Sequence, residues 1–529
     1  MISNKKHKEI TTQPTLPAIA MDIDWSAQHV LILGLGESGL ACCKWLLRKG
    51  ARITIIDSRA APPMRESLDA LIAQHVESSR VTVKTNVESP FEASWTHGMT
   101  MVIPGPGLSP HAVHRGAAVE VVREARERDL MLVGEIDLFE WAIHHATHAS
   151  SARSTQADLE LPLELPRVLA VTGTNGKTTT TQMTVALLRR AGFDVQEAGN
   201  ISPSLLDAVM QREDQNSFPQ IWVLELSSFQ LFYARHFHPT AAALLNITED
   251  HLDWHADMAD YINAKQRVFG IGISPKTSGV LCVANRQDSQ TIQAVSGQSH
   301  VVTFGMDRPL RCGDFGLVEE GIDWMAVRDL HDEELLHRLM PADALRVRGR
   351  HNAMNALAAL ALCRAVTSSL APLLHGLREF RGGAHRMQWV AHVEGVDFVD
   401  DSKGTNVGAT VAALTGLTLP VVLIAGGEGK GQDFLPLAGA MQKHAKAVVT
   451  IGKDGPAIAR VAQTVNVETY SADSMVDAVQ KAHQIAQSNA VVLLSPACAS
   501  FDMYANYVER AHAFHEAVDV LAKEMGVAC

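Results

Sequence analysis

The sequence predicts an α/β protein with three domains: an N-terminal Rossmann-like domain, a central domain with a P-loop ATPase-type parallel sheet, and a C-terminal Rossmann-like domain. Two glycine-rich loops, each between an apolar strand and a helical pattern, predict the first two domains. Four apolar strands that alternate with helical segments predict the third. We expect the domains to cover residues 23–134, 135–382 and 383–529.

Composition excludes several classes of protein. The formal net charge is −12 with almost no basic clustering, so we expect no nucleic-acid partner. Seven cysteines form no C-x-x-C pair, which fits a reducing compartment. No apolar stretch reaches membrane-spanning length, which predicts a cytoplasmic protein without membrane insertion. We expect residues 1–22 to form a disordered tail. We expect the insertion at about 144–165 to be a solvated linker whose histidines bind no metal.

The first glycine-rich turn has the pattern G-x-G-x-x-G. Residues 29–33 form an apolar strand before this turn at 34–39, and a second strand at 52–56 ends in Asp57. The glycines permit close approach of a diphosphate, and an acid after the second strand can accept hydrogen bonds from a ribose or base. Taken alone, this pattern indicates a nicotinamide dinucleotide as the default ligand.

The central glycine loop has the features of a phosphate-binding site. Gly173 and Gly176 bracket a loop that follows the apolar run 168–171 and precedes a helical pattern. Backbone N–H groups there can face anionic oxygens at the positive end of the helix. Lys177 would add a charge near the β- and γ-phosphates, and Thr178 a hydroxyl for Mg²⁺. A glycine turn that only happens to precede Lys-Thr is the alternative.

Acidic residues follow two further apolar strands of the central domain. Glu225 comes directly after the strand at 221–224, where a carboxylate could hold Mg²⁺. Glu249, Asp250, His251 and Asp253 follow the next strand, and a cation would relieve their repulsion. The alternative is a helix start capped by Thr248 or Asp250.

Polar groups in the last third of the chain offer further contacts. Asn352 and Asn355 lie on one face at the start of a helix and could cap it or touch a base. The strands of the C-terminal domain end in the segments 400–406, 426–430 and 495–502. In a doubly wound sheet such ends line the ligand crevice.

These segments together resemble the Mur ligases over nearly the whole chain. The motifs occur in order as GLGESG, TGTNGKTTT, ELSSFQL, NITEDHLDWH, YINAK, HNAMNALAAL, DDSKGTN, GGEGKGQDF and SPACASFD. Within the family, GLGESG combined with SPACASFD is similar to the D-glutamate-adding member. The resemblance implies a ligase that joins D-glutamate to UDP-N-acetylmuramoyl-L-alanine with ATP and two Mg²⁺ ions, through an acyl phosphate, for peptidoglycan synthesis. We further expect a monomer.

The resemblance also implies residue roles. One Mg²⁺ would lie at Thr178 and Glu225 and a second near His251, where CO₂ addition would turn Lys265 into a carbamylated, anionic ligand. The catalytic side chains would be Lys177, His251, Lys265 and Lys403. The nucleotide would contact Gly173, Thr174, Asn175, Gly176, Lys177, Thr178, Thr179, Asn352, Asn355, Arg386 and Asp401.

Two further sets would hold the substrates. The UDP-sugar would contact Glu37, Ser38, Asp57, Ser58, Arg59, Gly107 and Asn200. D-Glutamate would contact Lys403, Thr405, Lys430, Ser500, Phe501 and Tyr507. Two positions depart from the family pattern: Pro106 lacks the expected preceding serine, and Tyr507 stands where phenylalanine is often found.

Three alternatives remain from the sequence. Another amide ligase of the same fold, such as a folylpolyglutamate synthase or a sibling with another acceptor amino acid, is nearest. A nicotinamide-dependent oxidoreductase would explain Gly34, Gly36, Gly39 and Asp57 but not the phosphate loop. A non-catalytic protein that uses ATP to close on a ligand is the third.

Overall fold

The computed structural model describes residues 23–75, 80–111, 113, 116–153, 166–272, 279–347, 349–383, 385–417, 419–429 and 432–526. The predicted tail at 1–22, part of the predicted linker (154–165) and Lys430 lie outside these residues. Within them the chain forms three sheets, each flanked by helices. Short 3-10 helices cover Trp25–Ala27, Ala93–Thr96, Arg267–Phe269 and Ala342–Ala344.

The N-terminal sheet has five parallel strands in the order β3-β2-β1-β4-β5. The turn after β1 requires glycine at position 39, because a Cβ atom on that residue would lie 2.2 Å from the carbonyl oxygen of Gly34. The elements are β1 His29–Leu33, α1 Glu37–Arg48, β2 Arg52–Ile56, α2 Arg65–His75, β3 Val81–Lys84, β4 Met101–Pro104, α3 Val119–Glu127 and β5 Met131–Leu132.

The central sheet has nine strands in the order β14-β13-β12-β11-β10-β9-β6-β8-β7. It is parallel from β7 to β12, and β13 and β14 extend it in antiparallel fashion. The elements are α4 Glu135–Arg153, β6 Arg167–Thr172, α5 Lys177–Arg190, β7 Val195–Gly199, α6 Leu205–Asp214, β8 Ile221–Glu225, α7 Ser228–Tyr233, β9 Ala241–Leu244, α8 Met258–Gln266, β10 Leu281–Asn285, α9 Ser289–Ala294, β11 Val301–Phe304, β12 Phe315–Glu320, β13 Ile322–Arg328, β14 Leu336–Pro341, α10 Arg350–Cys363 and α11 Leu370–Glu379.

The C-terminal sheet has six strands in the order β15-β16-β20-β17-β18-β19. Only β15 runs antiparallel to its neighbour. The elements are β15 Gln388–Val393, β16 Val396–Asp400, α12 Val407–Gly416, β17 Val421–Gly426, α13 Leu437–His444, β18 Ala445–Ile451, α14 Gly455–Thr464, β19 Glu468–Ser471, α15 Met475–Ala486, β20 Ala490–Leu494 and α16 Tyr507–Glu524.

The predicted α/β class is confirmed, together with the apolar strands that precede both glycine loops. The prediction of a linker from about residue 144 is wrong for its first part, because α4 continues as a helix to Arg153. Among the helices that the structure describes, none combines the length and apolar character needed to cross a bilayer.

The N-terminal and central domains share a buried contact. Trp25 packs edge-on against Trp45 of α1 and Trp141 of α4, with ring centroids 5.1 and 5.5 Å away. Glu135, at the start of α4, is 5% exposed, accepts a hydrogen bond from the Ser38 hydroxyl, and accepts another from the Leu206 amide at 3.3 Å. A carboxyl group therefore lies in the apolar region between two sheets.

We expect Glu135→Gln to change how stability depends on pH. Burial raises the pKa of Glu135 from 4.5 to about 7, although its hydrogen bonds oppose the rise. The folded protein keeps this proton up to about pH 7, whereas the unfolded chain loses it near pH 4.5, so stability from this group falls as the pH rises through that window. At about 1.4 kcal/mol per pKa unit, the free energy of unfolding of the variant relative to wild type should rise by up to about 3 kcal/mol across it.

Denaturant unfolding followed by tryptophan fluorescence, repeated across this pH window, measures the effect, because three tryptophans lie at the same contact. Glu127→Gln, which removes an exposed carboxylate from α3, is the control for charge loss. Stability profiles of Glu135→Gln and wild type that stay parallel with pH would contradict the assignment.

Candidate active site

The phosphate loop lies between β6 and α5, as predicted. Gly173 has a φ of +155° and Gly176, the N-cap of α5, a φ of +84°, both of which favour glycine. A Cβ atom at Gly176 would lie 2.5 Å from the Asn355 side-chain oxygen. Glycine at position 176 therefore allows both the backbone conformation of the loop and the close approach of the Asn355 side chain from α10.

Asn246, which follows β9, holds the loop from outside. The Thr174 amide donates to the Asn246 carbonyl oxygen at 2.9 Å, and the Asn175 amide donates to Asn246 Oδ1 at 2.8 Å. Asn246 Nδ2 donates in return to the Asn175 carbonyl oxygen at 3.0 Å. Two predicted phosphate-binding residues thus have occupied amides, which leaves the amides at the start of α5, beyond Gly176, to face a phosphate.

Two lysines converge on one carbonyl group in this loop. Lys177 Nζ and Lys265 Nζ each donate to the carbonyl oxygen of Gly173 at 2.8 Å, and Lys177 also donates to that of Thr174 at 2.8 Å. Lys265 is 1% exposed, and burial, reinforced by the charge of Lys177, lowers its pKa well below the usual value. Burial also lowers the pKa of Lys177.

Glu225 ends β8 beside the loop and is 2% exposed. Its Oε1 atom accepts a hydrogen bond from Asn200 Nδ2 at 2.9 Å, whereas its Oε2 atom is buried without a hydrogen-bond partner. A buried, unpartnered carboxylate oxygen is costly unless a cation or water satisfies it. Glu225 therefore fits the role of a ligand for a divalent cation such as Mg²⁺.

His251 lies near both lysines, with a φ of +55°. Its ring contacts Phe229 at 4.7 Å between centroids; although the side chain is 43% exposed, partial desolvation and the charges of Lys265 and Lys177 lower its pKa. The alternative that its acidic neighbours cap a helix is wrong, because α8 begins later, at Met258, and Asp257 caps it. The acidic segment is a loop that faces the phosphate site.

A cavity of about 220 Å³ opens beside the loop, between the central and C-terminal domains. Asn352 and Asn355 are buried in its wall, 3.2 Å apart between Oδ1 and Nδ2. They do not cap α10, since Gly349 is at the N-cap. The remaining lining includes Leu245, Phe304, Met354, Ala412 and Ala413, so apolar walls with a few amides suit a nucleotide base.

Residues of the C-terminal domain form the opposite wall. Arg386 donates to the Thr178 hydroxyl at 2.8 Å, so this predicted Mg²⁺ ligand is engaged by a cation in the present structure. Asp401 accepts from Ser495 Oγ at 2.7 Å, and burial raises its pKa to about 7. Lys403 Nζ lies 5.0 Å from the ring centroid of Tyr507.

Arg510 organises the loops of the predicted D-glutamate pocket. It is 1% exposed and donates to the carbonyl oxygens of Ser402 at 2.8 Å and Cys498 at 3.1 Å. Burial lowers its pKa to about 10. Nearby, the Thr405 amide donates to the Lys403 carbonyl oxygen at 2.9 Å, whereas Ser500 is buried and Phe501 exposed. Lys430 lies outside the described residues.

Most of the predicted sugar-nucleotide residues lie apart from the loop, in the N-terminal domain, whereas Asn200 follows β7 of the central sheet and donates to Glu225. Asp57 is 2% exposed and accepts from the Leu35 amide at 2.7 Å and from the Arg59 guanidinium, so it shapes the glycine turn and positions Arg59. Ser58 is half-buried, Glu37, Gly107 and Asn200 are exposed, and Ser38 is engaged by Glu135.

Sequence reasoning assigned no role to several residues of the site. Asn246 and Arg510 position loops, and Asn285 and His351 line the cavity. Asn246 carried a signal, because it is the polar residue that follows an apolar strand in a quoted motif. His351 also begins a quoted motif, directly before Asn352.

Asn246→Ala should weaken ATP binding. It removes both side-chain hydrogen bonds to Asn175, each worth about 1 kcal/mol, so we expect the dissociation constant of Mg-ATP to rise by about 10- to 30-fold. Isothermal titration calorimetry of the full chain measures it, with Asn263→Ala, an exposed asparagine of α8, as the matched control. Equal affinities for Asn246→Ala and wild type would show that the loop keeps its shape without this support.

Known families match this chain in the same order as its three sheets. The profile of the Mur ligase MurD-like N-terminal domain matches residues 28–124, that of the Mur ligase middle domain 171–363, and that of the Mur ligase glutamate ligase domain 385–498. The chain is 47% identical over 527 residues to UDP-N-acetylmuramoylalanine--D-glutamate ligase of Ralstonia nicotianae, covering 95% of this chain and 99% of that protein. It is 45% identical to the protein of the same name from Cupriavidus metallidurans, covering 94% and 98%.

Solved structures agree on the fold. UDP-N-acetylmuramate-alanine ligase MurC of Thermotoga maritima superposes with a TM-score of 0.52 at 18% identity, covering 93% of this chain and all of that one. A pseudomurein peptide ligase type C of Methanothermus fervidus gives 0.51 at 14% identity, covering 93% and 100%. The family profiles and the near full-length identity to curated relatives together show that this chain belongs to the Mur ligase family.

Proposed function

We propose that this chain is an ATP-dependent ligase that forms an amide bond between the L-alanyl carboxylate of UDP-N-acetylmuramoyl-L-alanine and the amine of D-glutamate, in peptidoglycan precursor synthesis. The observation that carries the proposal is the 47% identity, over 95% of the chain, to a ligase of that name. The geometry supports it, because the phosphate loop faces Arg386 and Lys403 of the C-terminal domain across one cavity.

A carboxylate is a poor electrophile, so the reaction begins with its phosphorylation. The carboxylate attacks the γ-phosphorus of ATP, ADP leaves, and the resulting acyl phosphate is attacked by the amine, with release of phosphate. Both partners of the first step are anions, so cations must lie between them. Lys177, at the start of α5, is placed to neutralise the phosphates, and Arg386 lies within reach of the same helix end.

We assign two cation positions. Glu225 and Thr178 would hold the Mg²⁺ that neutralises the β- and γ-phosphates, which is supported by the unpartnered Oε2 atom of Glu225. His251 and Lys265 would hold a second Mg²⁺, which would supply positive charge where the two anionic reactants meet. An ammonium at Lys265 would repel that ion, whereas its lowered pKa favours the neutral amine that reacts with CO₂ to form a carbamate.

The two organic substrates would bind on opposite sides of the phosphate loop. The UDP-sugar would occupy the N-terminal domain at Glu37, Ser38, Ser58, Arg59 and Gly107, with Asp57 holding Arg59, and would reach Asn200 of the central domain. The dianionic D-glutamate would meet Lys403 and, by family resemblance, Thr405, Lys430, Ser500, Phe501 and Tyr507. Charge-assisted hydrogen bonds from lysine suit its carboxylates.

We further propose domain limits at 23–134, 135–382 and 383–529. Because both ATP and the UDP-sugar would be substrates, we place the protein in the cytoplasm, and we infer that it acts as a monomer. The large buried contact at Trp25, Trp45 and Trp141 supports a joint between the first two domains near residue 134.

Phosphate release from Mg-ATP in the presence of UDP-N-acetylmuramoyl-L-alanine tests the function. We expect release and amide product with D-glutamate, and none with L-glutamate, meso-diaminopimelate, L-lysine or no amino acid. Activity with another acceptor would retain the ligase reaction but overturn the C-terminal pocket. ATP binding without release in any mixture would favour a non-catalytic binding protein.

Lys265→Ala tests the carbamate. We expect at least a 100-fold loss of activity, about 2.7 kcal/mol in transition-state free energy, with partial recovery in acetate, whose carboxylate can replace the anionic ligand. Lys177→Ala should lose activity without recovery in acetate, because that position requires a cation. Lys443→Ala, at an exposed site on α13, is the neutral control. Full activity of Lys265→Ala without added carboxylate would refute the proposal.

A further inference from the structure

Two histidines and an aspartate come together behind the active site, where none has been given a role. His385 lies just before β15, Asp400 ends β16, and His515 lies on α16. Their ligand atoms lie within 4.8 Å of one another. We call these three residues the His–Asp–His cluster.

The geometry of the cluster is that of converging donors. His385 Nδ1 lies 2.7 Å and His515 Nε2 2.9 Å from the same Asp400 Oδ2 atom. Asp400 is fully buried, and its other oxygen accepts from the Ser402 amide at 2.8 Å. A third imidazole, His512, lies one turn before His515, with its ring centroid 5.9 Å from that of His385.

We propose that the His–Asp–His cluster is a binding site for one divalent transition-metal ion of the zinc type, with His512 or water completing the coordination. Two imidazoles and one carboxylate are a common protein ligand set for Zn²⁺, and imidazole favours Zn²⁺ over Mg²⁺. The proposed ion is distinct from the two Mg²⁺ positions proposed above, whose residues Thr178, Glu225, His251 and Lys265 all belong to the central domain.

The separations require little movement to admit an ion. Zinc–nitrogen and zinc–oxygen bonds of about 2.1 Å place neighbouring tetrahedral ligands roughly 3.4 Å apart, so each ring would move outward by about half an ångström. The His515 side chain is 27% exposed, so it has room to move and the cluster has an entry path from solvent. Asp400 is fixed by the Ser402 amide and would supply the rigid ligand.

An ion there would brace the C-terminal wall of the active site. The Lys403 amide donates to the His385 carbonyl oxygen at 3.2 Å, and Arg386 follows His385 directly. The three ligands would tie α16 to the two segments that carry Arg386 and Lys403. The site therefore has a structural role, one that supports the catalytic groups without touching substrate.

Zinc titration of the chelator-treated full chain tests the proposal, in competition with a chromophoric chelator, in excess Mg²⁺ and without nucleotide. His515→Gln is the variant of choice, because its amide can still donate to Asp400 but offers no imidazole. We expect wild type to bind one more equivalent of Zn²⁺ than His515→Gln does. In the variant, the affinity of the His–Asp–His cluster for Zn²⁺ should fall by more than about 100-fold. Zinc should also raise the melting temperature of wild type more than that of the variant.

Two controls separate this site from others. His392→Ala removes an exposed histidine whose Nδ1 atom pairs with Asp397. This variant should still bind the additional equivalent of Zn²⁺. Within the part of the chain that the structure describes, His111 with His255 and Asp260 is another grouping of this kind; His111→Ala disrupts it and should leave zinc binding at the His–Asp–His cluster unchanged. Equal stoichiometry for wild type and His515→Gln, or loss in His111→Ala instead, would overturn the proposal. Either result leaves the proposed ligase reaction untouched, because no catalytic assay is involved.

Discussion

The convergence of two lysine side chains on the Gly173 carbonyl oxygen is the constraint around which the active site is arranged. Burial and repulsion by the charge of Lys177 both disfavour a second ammonium group at Lys265, which is almost wholly buried. Neighbouring Glu225 and Asp250 offset part of this repulsion. The loop is therefore short of negative charge, and Glu225 at the same time has an oxygen short of a cation. Phosphate together with a divalent cation would relieve both deficits at once.

The elements that could be predicted from the sequence share one property: the pattern of apolar residues along each element matches the pattern of burial in the structure. β6 and β8 are continuous apolar runs because helices cover both faces of the sheet, and the positive φ of Gly176 requires the residue that marks the loop. β13 and β14 went unpredicted because their exposure is irregular along each strand. The second half of α4 is polar and lacks an apolar stripe, so composition suggested a linker where a helix forms.

The same distinction explains which site residues could be found. Lys177 and Thr178 are recognisable because their roles depend on neighbours within the loop. Asn246 acts on Asn175, 71 residues away, and Arg510 acts on Ser402, 108 residues away, so nothing in their local sequence reveals the contact. For Asp57, the sequence pattern predicted the position, directly after β2, but not the contacts. Its carboxylate accepts hydrogen bonds from the Leu35 amide and the Arg59 guanidinium.

The three domains are joined by different kinds of contact, and this difference bears on the reaction. Besides its tryptophan cluster, the first joint has partly exposed ion pairs from α1 to α6, such as Arg48 with Asp214 at 2.7 Å, each worth at most about 1 kcal/mol. Most of its stability must come from apolar burial, which no small ligand alters. The second joint uses active-site groups, including the Arg386 bond to Thr178. A bound phosphate would compete for both of those side chains, so occupancy of the loop and the placement of the C-terminal domain depend on the same atoms. A ligand at the loop can therefore alter the second joint without altering the buried tryptophan contact of the first.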